Sequence, residues 1–303
     1  MFKTKKCGEN FYDFSPHFLY YTGPLFYLFG LLLCTAQHST AQHSTAQHST
    51  AQHNYVISLT TEQKRRKHIT EEFGKQNIPF VFFDAITPNL IEETAKKFNI
   101  TFDRSSKATL CDAEIACSLS HIVLWNFVLE NNLDYINIFE DDIYLGENAK
   151  ELLNVDYINS DTDILKLETL YGKIMLSKMY HIKCERNIFH LKFKHTGMGG
   201  YSITAKGAKY LLNKIKNTRL DLAIDTLIFD DLLSQNDYKV MQLFPAVCIQ
   251  DCILHGKSHF ESSLDEGRLS VHKNQIPAKP LAKIKNEFIR IKRRIFGKEV
   301  PFK

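Results

Sequence analysis

The chain lacks what small, stapled folds depend on. Its seven cysteines (7, 34, 111, 117, 184, 248 and 252) include no Cys-x-x-Cys pair, and an odd number scattered over 303 residues argues against a disulfide framework or a zinc ribbon. A reducing, cytoplasmic setting is expected, with Cys248 and Cys252 as buried thiols. Gly197, Gly199 and Gly200 miss the Gly-x-Gly-x-x-Gly spacing and precede a strand, which makes them a poor Rossmann signal. Formal net charge is +4, yet residues 279–303 alone carry nine Lys or Arg against two Glu. The remainder is therefore neutral to acidic, and without aromatics interleaved in the basic tail a nucleic-acid partner is disfavoured.

What is present centres on Asp134 to Asp142, Asp-Tyr-Ile-Asn-Ile-Phe-Glu-Asp-Asp. Tyr135, Ile136, Ile138 and Phe139 supply strand-forming side chains. The strand then stops on Glu140, Asp141 and Asp142. Three crowded carboxylates repel one another unless they are solvated or bridged by a hard divalent cation such as Mg2+ or Mn2+. In open α/β sheets ligands bind outside the carboxyl ends of strands.

Residues 36–53 repeat Ala-Gln-His-Ser-Thr three times and end on Ala-Gln-His. A period of five presents no apolar face, so disorder is expected. GCA-CAG-CAC-AGC-ACA encodes the unit and is also GCACA written three times over, so a slippage-prone DNA repeat that switches the reading frame explains the peptide. Upstream, Lys3, Lys5 and Lys6 precede an apolar run, Phe18 to Cys34, that resembles a signal or anchor but is broken by Gly23-Pro24 and short for a span. The folded protein is expected to begin near Asn54 and to run to about residue 275. At the other end Ile284, Phe288, Ile291 and Ile295 recur among Lys and Arg as in a basic amphipathic helix over 279–303, which can bind an anionic membrane surface or pack on the domain.

From Asn54 the order is strand, helix, strand. Tyr55 to Leu59 precedes a helix over Glu62 to Gly74, capped by Thr60 or Thr61, on which Arg65, Arg66 and Lys67 can meet phosphates or form a solvated face. Pro79 to Ile86 is a buried strand carrying Asp84 at a position that often touches ribose or base, and 87–108 is a polar excursion. On the helix that Asp112 caps, Ile115, Leu119 and Ile122 form the core stripe. Glu114, Ser118, His121 and Trp125 recur opposite it, either as an ordinary helix surface or as a functional column. Trp125, the one tryptophan, could offer a platform to a sugar ring. Thr162 to Glu168 reads as a strand ending on a carboxylate, followed by a hairpin-like region, the glycine run, a helix over Lys206 to Ile215, Asp225 near the start of a helix over Ile224 to Ser234, and a last strand over Pro245 to Gln250.

With these segments laid out, the chain resembles glycosyltransferase family 25, the bacterial lipooligosaccharide galactosyltransferase type. The matching pieces are Tyr55-Val-Ile-Ser-Leu59, Glu114-Ile-Ala-Cys-Ser-Leu-Ser-His121 with Trp125, Ile138-Phe-Glu-Asp-Asp-Ile143, Lys166-Leu-Glu168, Gly200-Tyr-Ser-Ile-Thr204 and Asp225. The resemblance implies a GT-A-like α/β fold, a UDP-sugar donor (UDP-galactose), Mn2+ or Mg2+, a lipid-linked oligosaccharide acceptor and inversion at the anomeric carbon. Glucosyl transfer and a metal-dependent phosphohydrolase are the rivals. Taken together, donor binding is expected at Ser58, Arg65, Asp84, Glu114, Ser118, His121 and Asp141, and acceptor binding at Trp125, Gly200 and Tyr201. Glu140 and Asp142 are the metal ligands, which His255 could join unless it is a plain loop residue; Asp225 is the candidate base and Glu168 the runner-up. A cytoplasmic enzyme held on the inner membrane is the expected setting. Sequencing the DNA of 36–53 should show one codon set repeated without synonymous variation; mixed codons would remove the frame-switching reading.

Overall fold

Apolar residues alternate between two faces of a central sheet, and each face is covered by helices whose own apolar positions meet it. The computed structural model describes residues 52–105, 109–175, 177–260, 291, 294, 295 and 297–303. The leader, the repeat as far as Ala51 and most of the basic tail lie outside the described residues. In order come β1 (Asn54–Ser58), α1 (Gln63–Gly74), β2 (Val81–Asp84), α2 (Ile91–Lys97), β3 (Thr101–Phe102), α3 (Asp112–Glu130), β4 (Tyr135–Glu140), β5 (Ile143–Leu145) and α4 (Ala149–Leu152). They are followed by β6 (Ile164–Lys166), β7 (Glu168–Thr169), β8 (Met179–His181), β9 (Asn187–His190), β10 (Gly200–Thr204), α5 (Ala205–Ile215), β11 (Arg219–Leu220), α6 (Ile224–Thr226), β12 (Val240–Phe244), β13 (Cys248–Gln250) and α7 (Asp251–His255).

The main sheet has eight strands in the order β2-β1-β4-β10-β6-β12-β9-β8, and a second sheet runs β5-β13-β7. Strands β2, β1 and β4 are parallel, while β10 lies antiparallel between β4 and β6. One core layer joins Ile115, Leu119, Ile122 and Trp125 of α3 to Ile136 and Ile138 of β4 and Leu211 of α5. The other joins Ile69 and Phe73 of α1 to Phe139 and Leu165. Between the strands a polar ladder fixes the register. Asn137 Nδ2 donates to Asn54 Oδ1 at 2.8 Å and to the Leu153 carbonyl at 2.8 Å, and Ser202 Oγ donates to Asn137 Oδ1. A one-residue slip would strand all of these buried groups.

Several boundaries differ from expectation. At the end of the repeat, His53 stacks on Tyr135 with ring centroids 4.4 Å apart, and its carbonyl accepts the Asn137 N–H at 2.7 Å. Helix α1 is preceded by Glu62 rather than capped by Thr60 or Thr61, and α3 by Cys111, whose N–H donates to Glu114 Oε2 at 3.1 Å, rather than by Asp112. The supposed polar excursion contains α2, which buries Ile91 and Ala95, too few apolar turns to show a period. The strand expected over Thr162 to Glu168 divides between the two sheets at Leu167. The helix expected over Ile224 to Ser234 becomes α6, a π-turn over Leu227–Asp231 and a 3-10 turn over Leu232–Ser234. Strand β12 was hidden by Pro245, which separates it from β13 in the other sheet.

The end of the chain does not continue as a free amphipathic helix. Lys298 bridges Ile174 and Phe302 bridges Ala246, Val300 is buried, and Arg186 Nη2 donates to the Lys303 carbonyl at 2.6 Å. Among the described residues, no helix is long and apolar enough to cross a membrane. Asn137→Ala should lower the unfolding free energy by about 3 kcal/mol, since it orphans groups on three elements; a denaturant midpoint equal to wild type would show that the ladder does not hold the register.

Candidate active site

The strand directions bring the acidic ends together. Because β4 and β6 are both antiparallel to β10, the carboxyl ends of β1, β2, β4 and β6 share one edge with the start of β10. In register, Ile57 faces Glu140, Ser58 faces Asp84 and Gly200 faces Phe139.

At the end of β4 the three acids split. Gln250 Nε2 donates to Glu140 Oε2 at 2.7 Å and approaches Asp142 Oδ1 at 3.4 Å, so these two carboxylates converge on one point. Asp141 accepts from Arg65 Nη1 at 2.8 Å, with Asp142 3.7 Å from the same nitrogen. Arg65, expected to meet phosphates, therefore lies against the acids. Burial raises the Glu140 carboxyl well above the usual carboxylate range, and Asp142, Glu168, Asp141 and Asp225 add to the rise in that order. Burial also raises Asp142, which the Arg65 charge partly offsets.

Glu168 is fully buried and receives Lys166 Nζ at 2.7 Å, while its Oε2 has no hydrogen-bond partner. The same Nζ donates to the Gly197 carbonyl at 2.6 Å, and the Gly197 N–H donates to Asp225 Oδ2 at 3.0 Å. One glycine thus links both candidate bases. Burial lifts the Glu168 carboxyl, opposed by Lys166. Asp225 is half-buried and its Oδ1 accepts the Thr226 N–H at 2.6 Å, leaving it the more accessible of the two.

The glycine run packs closely against the protein's own side chains. A Cβ at Gly199 would stand 2.6 Å from Glu168 Oε2 and 2.7 Å from Gln250 Cγ. At Gly197, where φ is +96°, it would meet Leu170 at 2.5 Å, and at Gly200 it would strike the Cys248 sulfur. Gly200 is buried in β10 beneath Cys248 and Phe139, which corrects its reading as an acceptor contact.

The α3 column is interior, not surface. Trp125, Tyr201 and His121 are each 0% exposed, so neither Trp125 nor Tyr201 presents a face to a sugar. Trp125 Nε1 donates to Tyr201 Oη at 2.8 Å, and His121 Nδ1 lies 3.0 Å from that oxygen. Indole is a donor alone, so Tyr201 Oη accepts from it and keeps its own proton to donate. The other ring nitrogen, Nε2, is buried without a hydrogen-bond partner and lies 4.0 Å from Glu140 Oε1. Burial lowers the imidazole to about 3, in keeping with the neutral form. Glu114 and Ser118, expected at the donor, are buried: Glu114 closes the α3 capping box and Ser118 Oγ donates to the Glu114 carbonyl at 2.8 Å.

The remaining candidates spread out. Ser58 is buried and donates to the Leu59 carbonyl at 3.3 Å; Asp84 is half-exposed and ion-paired with Arg66. His255 is grouped with Asp251 and His259. Lys166 and Gln250 were missed as site residues. The spacing of Lys166 and Glu168 placed them on one strand face, whereas nothing local to Gln250 marks it.

Comparison with known proteins gives the class first. A Haemophilus influenzae protein provisionally described as a glycosyltransferase is 62% identical over 292 residues, covering 96% of this chain and 98% of its own. The lipooligosaccharide biosynthesis protein lex-1 of the same species is 33% identical, covering 81% and 93%, and the lacto-N-neotetraose biosynthesis glycosyltransferase LgtB of Neisseria meningitidis is 33% identical, covering 78% and 90%. Residues 51–228 match glycosyltransferase family 25 (LPS biosynthesis protein), and the chain belongs to that family.

The acidic edge should make the metal-free protein pH-sensitive. A raised Glu140 carboxyl binds its proton more tightly folded than unfolded. Its contribution therefore favours folding below about pH 4.3 and is lost as pH rises through the folded value. In EDTA, Glu140→Gln should melt higher than wild type at pH 7 and show a flatter profile above pH 4; an equal or lower melting temperature would mean that Glu140 is not under repulsion.

Proposed function

We propose that the chain transfers a hexose, galactose from UDP-galactose, to a lipooligosaccharide acceptor with inversion at the anomeric carbon. The observation that carries this is the pair Glu140 and Asp142 converging beside Gln250 at a strand edge, in a family 25 chain. The relatives' involvement in lipooligosaccharide and lacto-N-neotetraose synthesis supports the acceptor class.

Glu140 and Asp142 are the oxygen ligands for Mn2+ or Mg2+, which when bound supplies charge neutralisation for the departing diphosphate. The donor set fits. Glu140, Asp141, Asp142, Glu168 and Asp225 crowd one edge, where Arg65 and Lys166 are the cations paired with them among the described residues. The Gln250 amide sits where the two carboxylate oxygens meet; rotated, it would offer its own oxygen.

Transfer forms a bond from the acceptor oxygen to the anomeric carbon, breaks the bond to the UDP oxygen and releases a proton. Asp225 takes that proton, its carboxylate aimed by the Gly197 and Thr226 amides. Glu168, sealed in and paired with Lys166, acts through the field and through Gly197 instead. Tyr171, 68% exposed just beyond β7 and tied by its hydroxyl to the Ile253 carbonyl at 2.8 Å, supplies the sugar platform that buried Trp125 does not.

The test is product formation from labelled UDP-galactose and UDP-glucose with Mn2+ and a truncated lipooligosaccharide acceptor. Acceptor-dependent galactosyl transfer is expected. It should fall about 100-fold or more in Asp142→Ala and by roughly 100- to 10,000-fold in Asp225→Asn. Transfer from UDP-glucose alone overturns the donor, hydrolysis without acceptor overturns the class of reaction, and transfer indifferent to Asp142 overturns the site.

A further inference from the structure

We infer a second cation site, distinct from the Glu140 and Asp142 pair, formed by Asp251, His255 and His259 and suited to a borderline ion of the Zn2+ class. Asp251 and His255 stand four apart on α7 and so share a face. Gly256 follows in the left-handed region at φ +73° and turns the chain back, which returns His259 to the same carboxylate.

The ligand atoms of the three residues all lie within 4.8 Å of one another. Asp251 Oδ1 is 3.0 Å from His259 Nδ1 and 3.8 Å from His255 Nε2. Those separations bracket the ~3.4 Å edge of a tetrahedron with bonds of about 2.1 Å. Asp251 has no exposed side-chain surface, and among the described residues its ion-pair partners are these two histidines rather than a Lys or Arg. Tyr144 Oη donates to Oδ1 at 3.2 Å and the His259 N–H to Oδ2 at 2.5 Å, the kind of outer contacts that orient a ligating carboxylate. Two imidazoles and one carboxylate select a transition ion over Mg2+, and a fourth position stays open.

The site touches the catalytic edge through the backbone, because the Asp251 N–H donates to the Asp142 carbonyl at 2.8 Å. Its occupation would clamp residues 251–260 beside that turn. Phe260 of this segment already lies over Arg65, 5.4 Å from guanidinium to ring centre.

The inference does not rest on the transferase reading, and its test reads binding. Full-length protein is dialysed against Zn2+ with Mg2+ in large excess to fill the hard carboxylate site, and bound zinc is measured. One tight Zn2+ per chain is expected. Affinity should fall roughly 100-fold or more in His255→Ala and in His259→Ala, since even outer-shell partners cost 10- to 100-fold. It should recover in His259→Cys, which supplies another zinc ligand and controls for misfolding, and persist in Glu140→Gln. Zinc retained by both alanine variants, no recovery in His259→Cys, or zinc lost in Glu140→Gln would overturn the site.

Discussion

The constraint on which this structure turns is the repulsion among carboxylates gathered at one sheet edge. Parallel β1, β2 and β4 aim their ends the same way, and antiparallel β10 admits β6 into the same direction. Each acid is then handled differently. Asp141 leans on Arg65, Glu168 is sealed against Lys166, and Glu140 and Asp142 share the Gln250 amide. Of that pair Asp142 also has Arg65 at 3.7 Å, whereas Glu140 pairs with no Lys or Arg among the described residues and has its carboxyl raised by burial and by four neighbouring acids. Carboxylates gathered this closely repel one another unless solvated or bridged by a cation.

The buried helix α3 explains how such an edge keeps its shape. A lone His121 behind Glu140 could rotate. Here Trp125 fixes the Tyr201 hydroxyl and the hydroxyl fixes the imidazole. All three side chains are fully buried around that one hydroxyl, which holds the imidazole in place behind Glu140. The column recurs on one face of α3, as its spacing foretold, but that face points into the sheet.

This marks how far the residues alone could be read. The strand ending on Glu140, the helix carrying His121 and Trp125, and the strand that follows the glycine run are legible in local pattern. Whether the α3 column faces water or core is not, because both faces of that helix are apolar enough to be buried, and periodicity then loses its contrast. The split of Thr162 to Glu168 was equally hidden. A fully buried strand has no alternation to reveal that Lys166 belongs to one sheet and Glu168 to another. Gln250 and the Asp251, His255 and His259 cluster depend on β13 pairing with β5 and β7, contacts of long sequence separation.

The buried Lys166 and Glu168 pair is costly by ordinary reckoning, since desolvating two charges offsets most of their attraction. Its position gives a reason for retaining it. Lys166 also donates to the Gly197 carbonyl and sits 4.1 Å from the centre of the Phe229 ring, so three elements close on one ammonium group. Gly197 passes the restraint on to Asp225 through its N–H. An apolar pair of the same volume would pack as well, yet it would leave the Gly197 carbonyl without this donor and the loop that aims Asp225 without its tether. The ion pair is therefore better understood as the fixed point from which the accessible carboxylate is positioned than as a contribution to stability.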